Sequence, residues 1–256
     1  MILPTSERAH IAIATCVWRR PHLTRAMLEY YKRAAEALDS HGVVLTGAVA
    51  GSEDDDLRSP CLDAGFLYTS SPNRPLAKKW NAAVALLREQ RPDAVLVIGS
   101  DDWLSHGMLS GYARLLRDGH DHVSLCDLYL LDAETRRCSR FRGLTGVGCM
   151  LRRDVVERLQ WQLWPEQLNR SLDNGMKRRL SAMQPGVSKP WIGEMAEVGQ
   201  DATAIDVKTS TNLWNFDRLS RSEKCADCSP QEALRHFSDL DLSALEFAMQ
   251  QECANE

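Results

Sequence analysis

The apolar and polar positions of the first hundred residues fall into strand-sized and helix-sized blocks. His10 to Val17 (HIAIATCV) alternates and is rich in β-formers, and the following PHLTRAMLEYYKRAAEALDSHG opens at proline and closes at glycine, which predicts a helix with both of its boundary signals. Val43 to Ala50 (VVLTGAVA) reads as a second strand and Phe66 to Thr69 as a short third. Pro75 to Gln90 reads as a helix opening at proline, and VLVIGS (Val95 to Ser100) as a buried fourth strand. Strands alternating with helices at these lengths predict right-handed crossovers and a parallel α/β sheet covered on both faces. Such sheets bind ligands beyond the carboxyl ends of their strands.

After Trp103 the pattern loosens. Ser105 to Arg117 predicts a helix, and HVSLCDLYLLD and CSRFRG, separated by the polar AETRR, predict a hairpin. RRDVVERL and LNRSLDNGMKRRLSAM are helical by charge and apolar spacing, with Trp161 and Trp164 between them. The second half therefore reads as mixed α+β. From Asp217 onward the chain is polar and helix-prone, and no internal repeat or low-complexity segment interrupts it.

Composition narrows the class. The chain has 256 residues, 44% apolar and 26% charged, which suits one principal soluble domain with a substantial core. A net charge of −4 gives no global attraction to nucleic acid, so any such contact must be local. The start MILPTSERAH breaks its short apolar run with Pro, Ser, Glu and Arg, and no apolar run approaches the roughly 20 residues of a bilayer span; the expectation is a cytoplasmic protein without a membrane span. Eight cysteines at irregular spacings read as reduced thiols. Cys225 and Cys228 form a single Cys-x-x-Cys, with His236 and Cys253 as conceivable further zinc ligands, but a structural zinc site shows a second clear pair, and surface thiols are the favoured reading.

The chemistry gathers at AVLVIGSDDWL (Ala94 to Leu104), where an apolar strand runs into adjacent carboxylates. Asp101 and Asp102 repel each other unless a positive charge sits beside them, and a hard divalent cation, Mn²⁺ or Mg²⁺, takes oxygen ligands and can hold a nucleotide diphosphate. Gly99 lets backbone or ligand come close. Ser100 or Asp101 as a simple helix cap accounts for one such residue and not for a tryptophan-flanked pair.

With these residues in view, the chain resembles the glycosyltransferases of the GT-A fold, in particular family-2-like enzymes, including members encoded by phages. The resemblance covers roughly residues 10 to 215 and rests on IAIATCVWRRP, GSEDDD and GSDDW at matching places. It implies an α/β fold with a Rossmann-like nucleotide-binding sheet and a mixed α+β acceptor half. The domain would occupy residues 1–220, with 10–104 binding nucleotide-sugar and 105–220 the acceptor, and 221–256 would be a C-terminal helical tail. The resemblance further implies a UDP-sugar donor contacted by Thr15, Arg19, Glu53, Asn73, Lys79, Asn81, Ser100, Asp101 and Lys208. Asp102 or Asp101 would be the direct metal ligand, since Ser-Asp-Asp stands where the family pattern is Asp-x-Asp. In SPNRPLAKKWNAA, Lys78 or Lys79 would meet phosphate, and Asn81 would orient the metal-binding aspartate or a sugar hydroxyl; in the run from Glu53 to Asp56 only one residue need touch nucleotide. GLTGVGCMLRRDVV is similar to the family's acceptor loop, and Asp173 in LNRSLDNGM matches the position of the base in inverting members. In IDVKTSTNLWNF, Lys208 would reach the leaving diphosphate, with an exposed strand lysine as the alternative, and Asn212 and Trp214 accompany it.

The acceptor stays open at this level. Arg136, Arg137, Arg140 and Arg142, with Arg152, Arg153, Lys177, Arg178 and Arg179, all fall in the acceptor half, which admits a hydroxymethylated pyrimidine in phage DNA as one acceptor and a saccharide or lipid as another. A non-catalytic nucleotide-binding module and a nucleotidyltransferase are the competing classes. The latter usually carries a Gly-rich basic loop where this chain has TCVWRRP.

Overall fold

The computed structural model describes residues 8–53, 56–212 and 214–254. Its first part alternates as β1 (Ala9–Cys16), α1 (Pro21–Asp39), β2 (Val43–Gly51), α2 (Arg58–Asp63), β3 (Leu67–Ser70), α3 (Leu76–Leu86) and β4 (Ala94–Val97). There follow β5 (Asp102–Leu104), α4 (His106–Arg117), β6 (His122–Leu125), β7 (Asp127–Asp132), β8 (Cys138–Arg142), β9 (Cys149–Arg152), α5 (Arg153–Arg158) and α6 (Leu172–Ala182). The remainder is β10 (Pro190–Gly193), α7 (Met195–Val198), β11 (Ala204–Lys208), α8 (Phe216–Ser220), β12 (Cys225–Cys228), α9 (Pro230–Leu234) and α10 (Asp239–Ala254).

Two sheets organise the chain, in the orders β10-β6-β9-β4-β1-β2-β3 and β12-β8-β7-β11-β5. In the first, β4, β1, β2 and β3 are mutually parallel, so their carboxyl ends share one edge. This sheet is not parallel throughout, because β9 inserts antiparallel to both β4 and β6. The Gly148 amide, at φ +69°, donates to Val97 O at 3.0 Å, so β9 turns in beside the end of β4 and must run back along it. The apolar stretch expected as one hairpin arm divides at Cys126, β6 joining the first sheet and β7 the second, where β7 and β8 form the expected hairpin.

The alternation in β1 sorts the core. Ile11 and Ile13 face a large apolar cluster with Leu23, Met27 and Leu28 of α1 and the second sheet, whereas Ala12 and Ala14 face a smaller one with Ala77, Ala83 and Val84 of α3. Alanines on that second face let α3 lie close to the strands. Trp161 and Trp164 fill the same smaller core.

The C-terminal segment expected as a helical tail contributes a strand, since β12 pairs antiparallel with β8. It also supports α1, which lacks a side-chain cap of its own. Glu252 of α10, 4% exposed, accepts from the His22 and Leu23 amides at 2.6 and 3.0 Å, satisfying first-turn donors and placing a carboxyl group at the positive end of the helix. Glu252→Ala strips both amides of this acceptor, and a loss of about 1–3 kcal/mol is expected, read as a lower midpoint in thermal unfolding.

Candidate functional site

The site grows from the carboxyl edge of the parallel strands. Residues 98–101 leave β4 and turn into β5, whose backbone is gripped by two tyrosines of α1. Tyr30 Oη donates to Leu104 O at 2.7 Å, Tyr31 Oη donates to Asp102 O at 3.1 Å, and the Leu104 amide donates to Tyr31 Oη at 3.1 Å. Trp103 is fully buried against Tyr30, with ring centroids 4.8 Å apart. The tryptophan beside the aspartates is therefore an anchor in the core that holds the turn rigid.

The β5 strand pairs antiparallel with β11, so that Asp206 lies opposite Asp102. Carboxylate oxygens of Asp101, Asp102 and Asp206, all buried, come within 4.8 Å of one another. Two basic side chains enter the cluster. Arg20 pairs with Asp101 and donates to Ser100 Oγ at 3.1 Å, and Lys208 pairs with Asp206 at 2.5 Å. Asn212 Nδ2 donates to Asp101 Oδ2 at 2.6 Å. Lys208 is 7% exposed, so the exposed strand lysine considered from sequence is replaced by a buried ion-pair partner.

The electrostatics differ among the three carboxyls. Burial by itself would raise Asp101, yet Arg20 and Lys208, with hydrogen bonds from Arg20 and Asn212, hold it below its ordinary value. Asp102 is pushed well above the carboxylate range, first by burial and then by the charges of Asp206 and Asp101. Asp206 is also raised, chiefly by burial, with Lys208 opposing. Burial would lower Lys208, but Asp206 and Asp101 keep it above its usual value.

These residues fit a divalent cation. The donors are hard oxygens. Asp206 Oδ1 is buried without a hydrogen-bond partner among the described residues, and a Cβ on Gly99 would stand 2.5 Å from Asp101 Oδ1, so glycine leaves room where the oxygens converge. Asp101 is already engaged by Arg20 and Asn212, which leaves Asp102 and the orphaned Asp206 oxygen as the groups with ligand capacity to spare.

A cavity of about 540 Å³ is lined by Trp18, Arg19, Glu53, Pro72, Asn73 and Arg74, and Arg19 is the sequence neighbour of the Arg20 that pairs with Asp101. Three of the nucleotide-binding candidates, Arg19, Glu53 and Asn73, meet there. The Arg19 guanidinium sits 4.3 Å from the Trp18 ring centre. Asp54 and Asp55 of the acidic run lie outside the described residues, and Asp56 pairs with Arg25.

Three other candidates occupy structural positions. Lys79 is fully buried and donates to Val17 O at 2.7 Å, Ser52 Oγ at 2.6 Å and Asn73 Oδ1 at 3.1 Å. It ties together the loops after β1, β2 and β3, and its ammonium, expected to meet phosphate, is spent on protein oxygens; Lys78 is exposed. Asn81 exchanges hydrogen bonds with the Trp164 backbone at 2.8 and 3.2 Å, so the orienting role expected of it falls to Asn212. Thr15 is fully buried in β1, and its hydroxyl has no partner among the described residues.

Asp173 lies in the first turn of α6, and its carboxylate fills the space beside Gly146, where a Cβ would approach Oδ1 to 2.1 Å. Burial of the carboxyl raises its pKa, although much of the residue faces solvent. The segment expected as an acceptor loop returns to the end of β4 through Gly148, the strand end from which the aspartate turn leaves.

Sequence reasoning chose Arg19 for the first loop, whereas Arg20 enters the cluster, and it passed over Asp206. Asp206 had a signal: it lies two residues before Lys208 on a strand, hence on the same face. Which of two adjacent arginines points inward had none. Cys225, Cys228, His236 and Cys253 form no metal-ligand cluster among the described residues. Arg137 pairs with Asp217, Arg140 with Asp127 and Glu194, and Arg152 with Asp154, so the charge of these three arginines is offset within the protein. No described helix is long and apolar enough to cross a membrane.

No family model and no curated protein matches the sequence. Among solved structures, S. aureus TarS 1-349 in complex with UDP-GlcNAc superposes with a TM-score of 0.55 at 11% identity, covering 96% of this chain and 71% of that one. The inositol-1-phosphate CTP transferase from T. maritima gives a TM-score of 0.49 at 12% identity, covering 84% and 98%. A chain from Desulfovibrio desulfuricans G20 assigned as a nucleotide-diphospho-sugar transferase gives 0.44 at 12% identity, covering 95% and 98%. At these identities the likeness speaks to architecture, and the chain has a GT-A-like α/β fold with a parallel-rich sheet whose strand ends carry a buried aspartate cluster.

Proposed function

We propose that the protein is a metal-dependent glycosyltransferase that moves a sugar from a UDP-sugar to an acceptor hydroxyl. The observation that carries this reading is the buried Asp101, Asp102 and Asp206 cluster at the turn leaving β4, where Arg20, the sequence neighbour of Arg19 in the cavity wall, pairs with Asp101. In this reading Glu53, Asn73 and Arg19 bind the base and ribose, and Trp18 supplies an aromatic wall. Asp102 and Asp206 hold Mn²⁺ or Mg²⁺, with Asp101 fixed beside them by Arg20 and Asn212. The bound cation would offset negative charge on the diphosphate. Lys208 and Arg20 add positive charge on the same side, where the leaving diphosphate develops its own. Asp173 takes the proton of the acceptor hydroxyl as its oxygen attacks the anomeric carbon, and the sugar–diphosphate bond breaks with its electrons remaining on phosphate. Such a displacement inverts the anomeric configuration.

For the acceptor, the internal pairing of Arg137, Arg140 and Arg152 favours a saccharide or other weakly charged hydroxyl compound over hydroxymethylated DNA. Labelled UDP-sugars offered with simple saccharides, lipids, and DNA carrying hydroxymethylpyrimidines, across a salt series, separate these acceptors. The central test is calorimetry with UDP in the presence of Mn²⁺ or of a chelator. Binding is expected only with metal. Equal affinity in both conditions removes the metal assignment, and binding without any sugar transfer leaves a nucleotide-binding module.

A further inference from the structure

Two thiols face each other across the second sheet. Cys138 opens β8 and Cys228 closes β12, and the antiparallel register sets them directly opposite each other. Their sulfurs are 3.1 Å apart. Directly opposed residues in an antiparallel pair have Cα atoms about 4.5–5.5 Å apart, within the ~4.4–6.8 Å that a disulfide spans. The two sulfurs can therefore bond with small side-chain movements and no change of register.

We propose that Cys138 and Cys228 are a modification site: a dithiol that oxidises to a reversible cross-strand disulfide fastening β12 to β8. The Cys-x-x-Cys spacing suggests a different partner, Cys225, and the strand rules it out. Residues three apart on a strand point to opposite faces, and Cys225 donates its thiol to Leu219 O at 3.1 Å.

The oxidant is a small-molecule disulfide such as oxidised glutathione. Cys228 is partly exposed whereas Cys138 is 4% exposed, so Cys228 meets the oxidant first. Its thiolate attacks one glutathione sulfur, forming a mixed disulfide and releasing one glutathione thiolate. Cys138, deprotonated in turn, attacks the Cys228 sulfur, forming the protein disulfide and expelling the second glutathione. Two electrons pass from the cysteine pair to the oxidant, and the two thiol protons end on the two released glutathiones. Burial holds the Cys138 thiol far above its ordinary value, which slows that second step; the adjacent sulfur compensates through proximity.

The bridge joins elements that matter to the site. β12 is the far anchor of the strap that leaves β11 at Lys208, and the near end of that strap carries Asn212 on Asp101. A covalent tie at β12 restrains the strap from its distal end.

The experiment uses the full chain incubated with glutathione at increasing oxidised-to-reduced ratio, followed by alkylation of free thiols, proteolysis and mass spectrometry. Two of the eight thiols should be lost, with one linked peptide pair containing Cys138 and Cys228. The thermal midpoint should rise by about 5–10 °C and return on reduction. Cys228→Ser should abolish the bridge, and Cys225→Ser should leave it intact. Linkage of Cys228 to Cys225, arrest at the glutathione adduct, or retention of all thiols each overturns the proposal. If Cys138→Ser does not fold, the peptide map of the unaltered protein and the Cys228→Ser variant decide the matter.

Discussion

Asp102→Asn is expected to lose metal-supported UDP binding by about 10²-fold or more while leaving the metal-free protein at least as stable as the parent. The two outcomes share one cause. Burial and the charges of Asp206 and Asp101 lift the Asp102 carboxyl well above its ordinary range, so folding takes up a proton there. A carboxyl whose pKa is higher in the folded than in the unfolded chain favours folding at low pH and loses that contribution as pH rises through the window between the two values. At pH above that window the buried charge opposes folding, and the isosteric amide, still able to accept from the Gly99 amide, removes the opposition. Metal reverses the balance for the parent alone. At a concentration a hundredfold above its dissociation constant, Mn²⁺ should stabilise the parent by ~2.7 kcal/mol and leave Asp102→Asn unmoved. Thermal unfolding with and without Mn²⁺ and calorimetry with UDP make the two readings. An Asn variant that melts several degrees below the parent and still binds UDP with metal would remove Asp102 from the site.

If Asp173 is the base, Asp173→Asn should reduce turnover by roughly 10²–10⁴-fold, the usual worth of general-base help, with UDP affinity nearly unchanged because the proposed role of Asp173 is toward the acceptor. The base acts when deprotonated, and burial raises its pKa from 3.8. Activity should therefore fall on acidification at a pH above the ordinary carboxylate value, and that limb of the profile should vanish in the variant. Gly146→Ala tests the same geometry from the opposite side. The new Cβ would stand 2.1 Å from Asp173 Oδ1, so the carboxylate must move. The expected kinetics are a lowered kcat with the donor KM retained. Unaltered turnover in Asp173→Asn would pass the role to another carboxylate or to the acceptor itself.

Much of the architecture of the first hundred residues is legible in the chain because it is built from local signals. Proline at the start of α1, the strand alternation in β1 and β2, and the apolar run ending in Gly99 each report their own element; β1 and β2 fall within about a residue of their expected bounds, and α1 starts at the expected Pro21 but ends at Asp39, three residues before the expected closing Gly42. The Asp101–Asp102 pair is visible for the same reason, since adjacent charges at the end of an apolar strand conflict with local burial. Asp206 contributes to the site only because β11 pairs with β5, and its register against Asp102 is a contact between residues far apart in sequence. The choice of Arg20 over Arg19 is likewise decided across the fold, by where Asp101 and Ser100 lie relative to the start of α1.

The same division separates types from roles. From the sequence alone came the residue types able to do the chemistry: paired carboxylates, lysines, a further aspartate at Asp173 and a glycine-containing loop. Only the tertiary structure decided that Lys79 spends its ammonium on Val17, Ser52 and Asn73, that Asn81 serves the Trp164 backbone, and that Cys228 faces Cys138 rather than Cys225. The physical reason is that donors, acceptors and charges are satisfied by whatever partner burial brings within about 3 Å, and strand register and loop placement set that partner. Apolar periodicity, by contrast, is written along the chain itself.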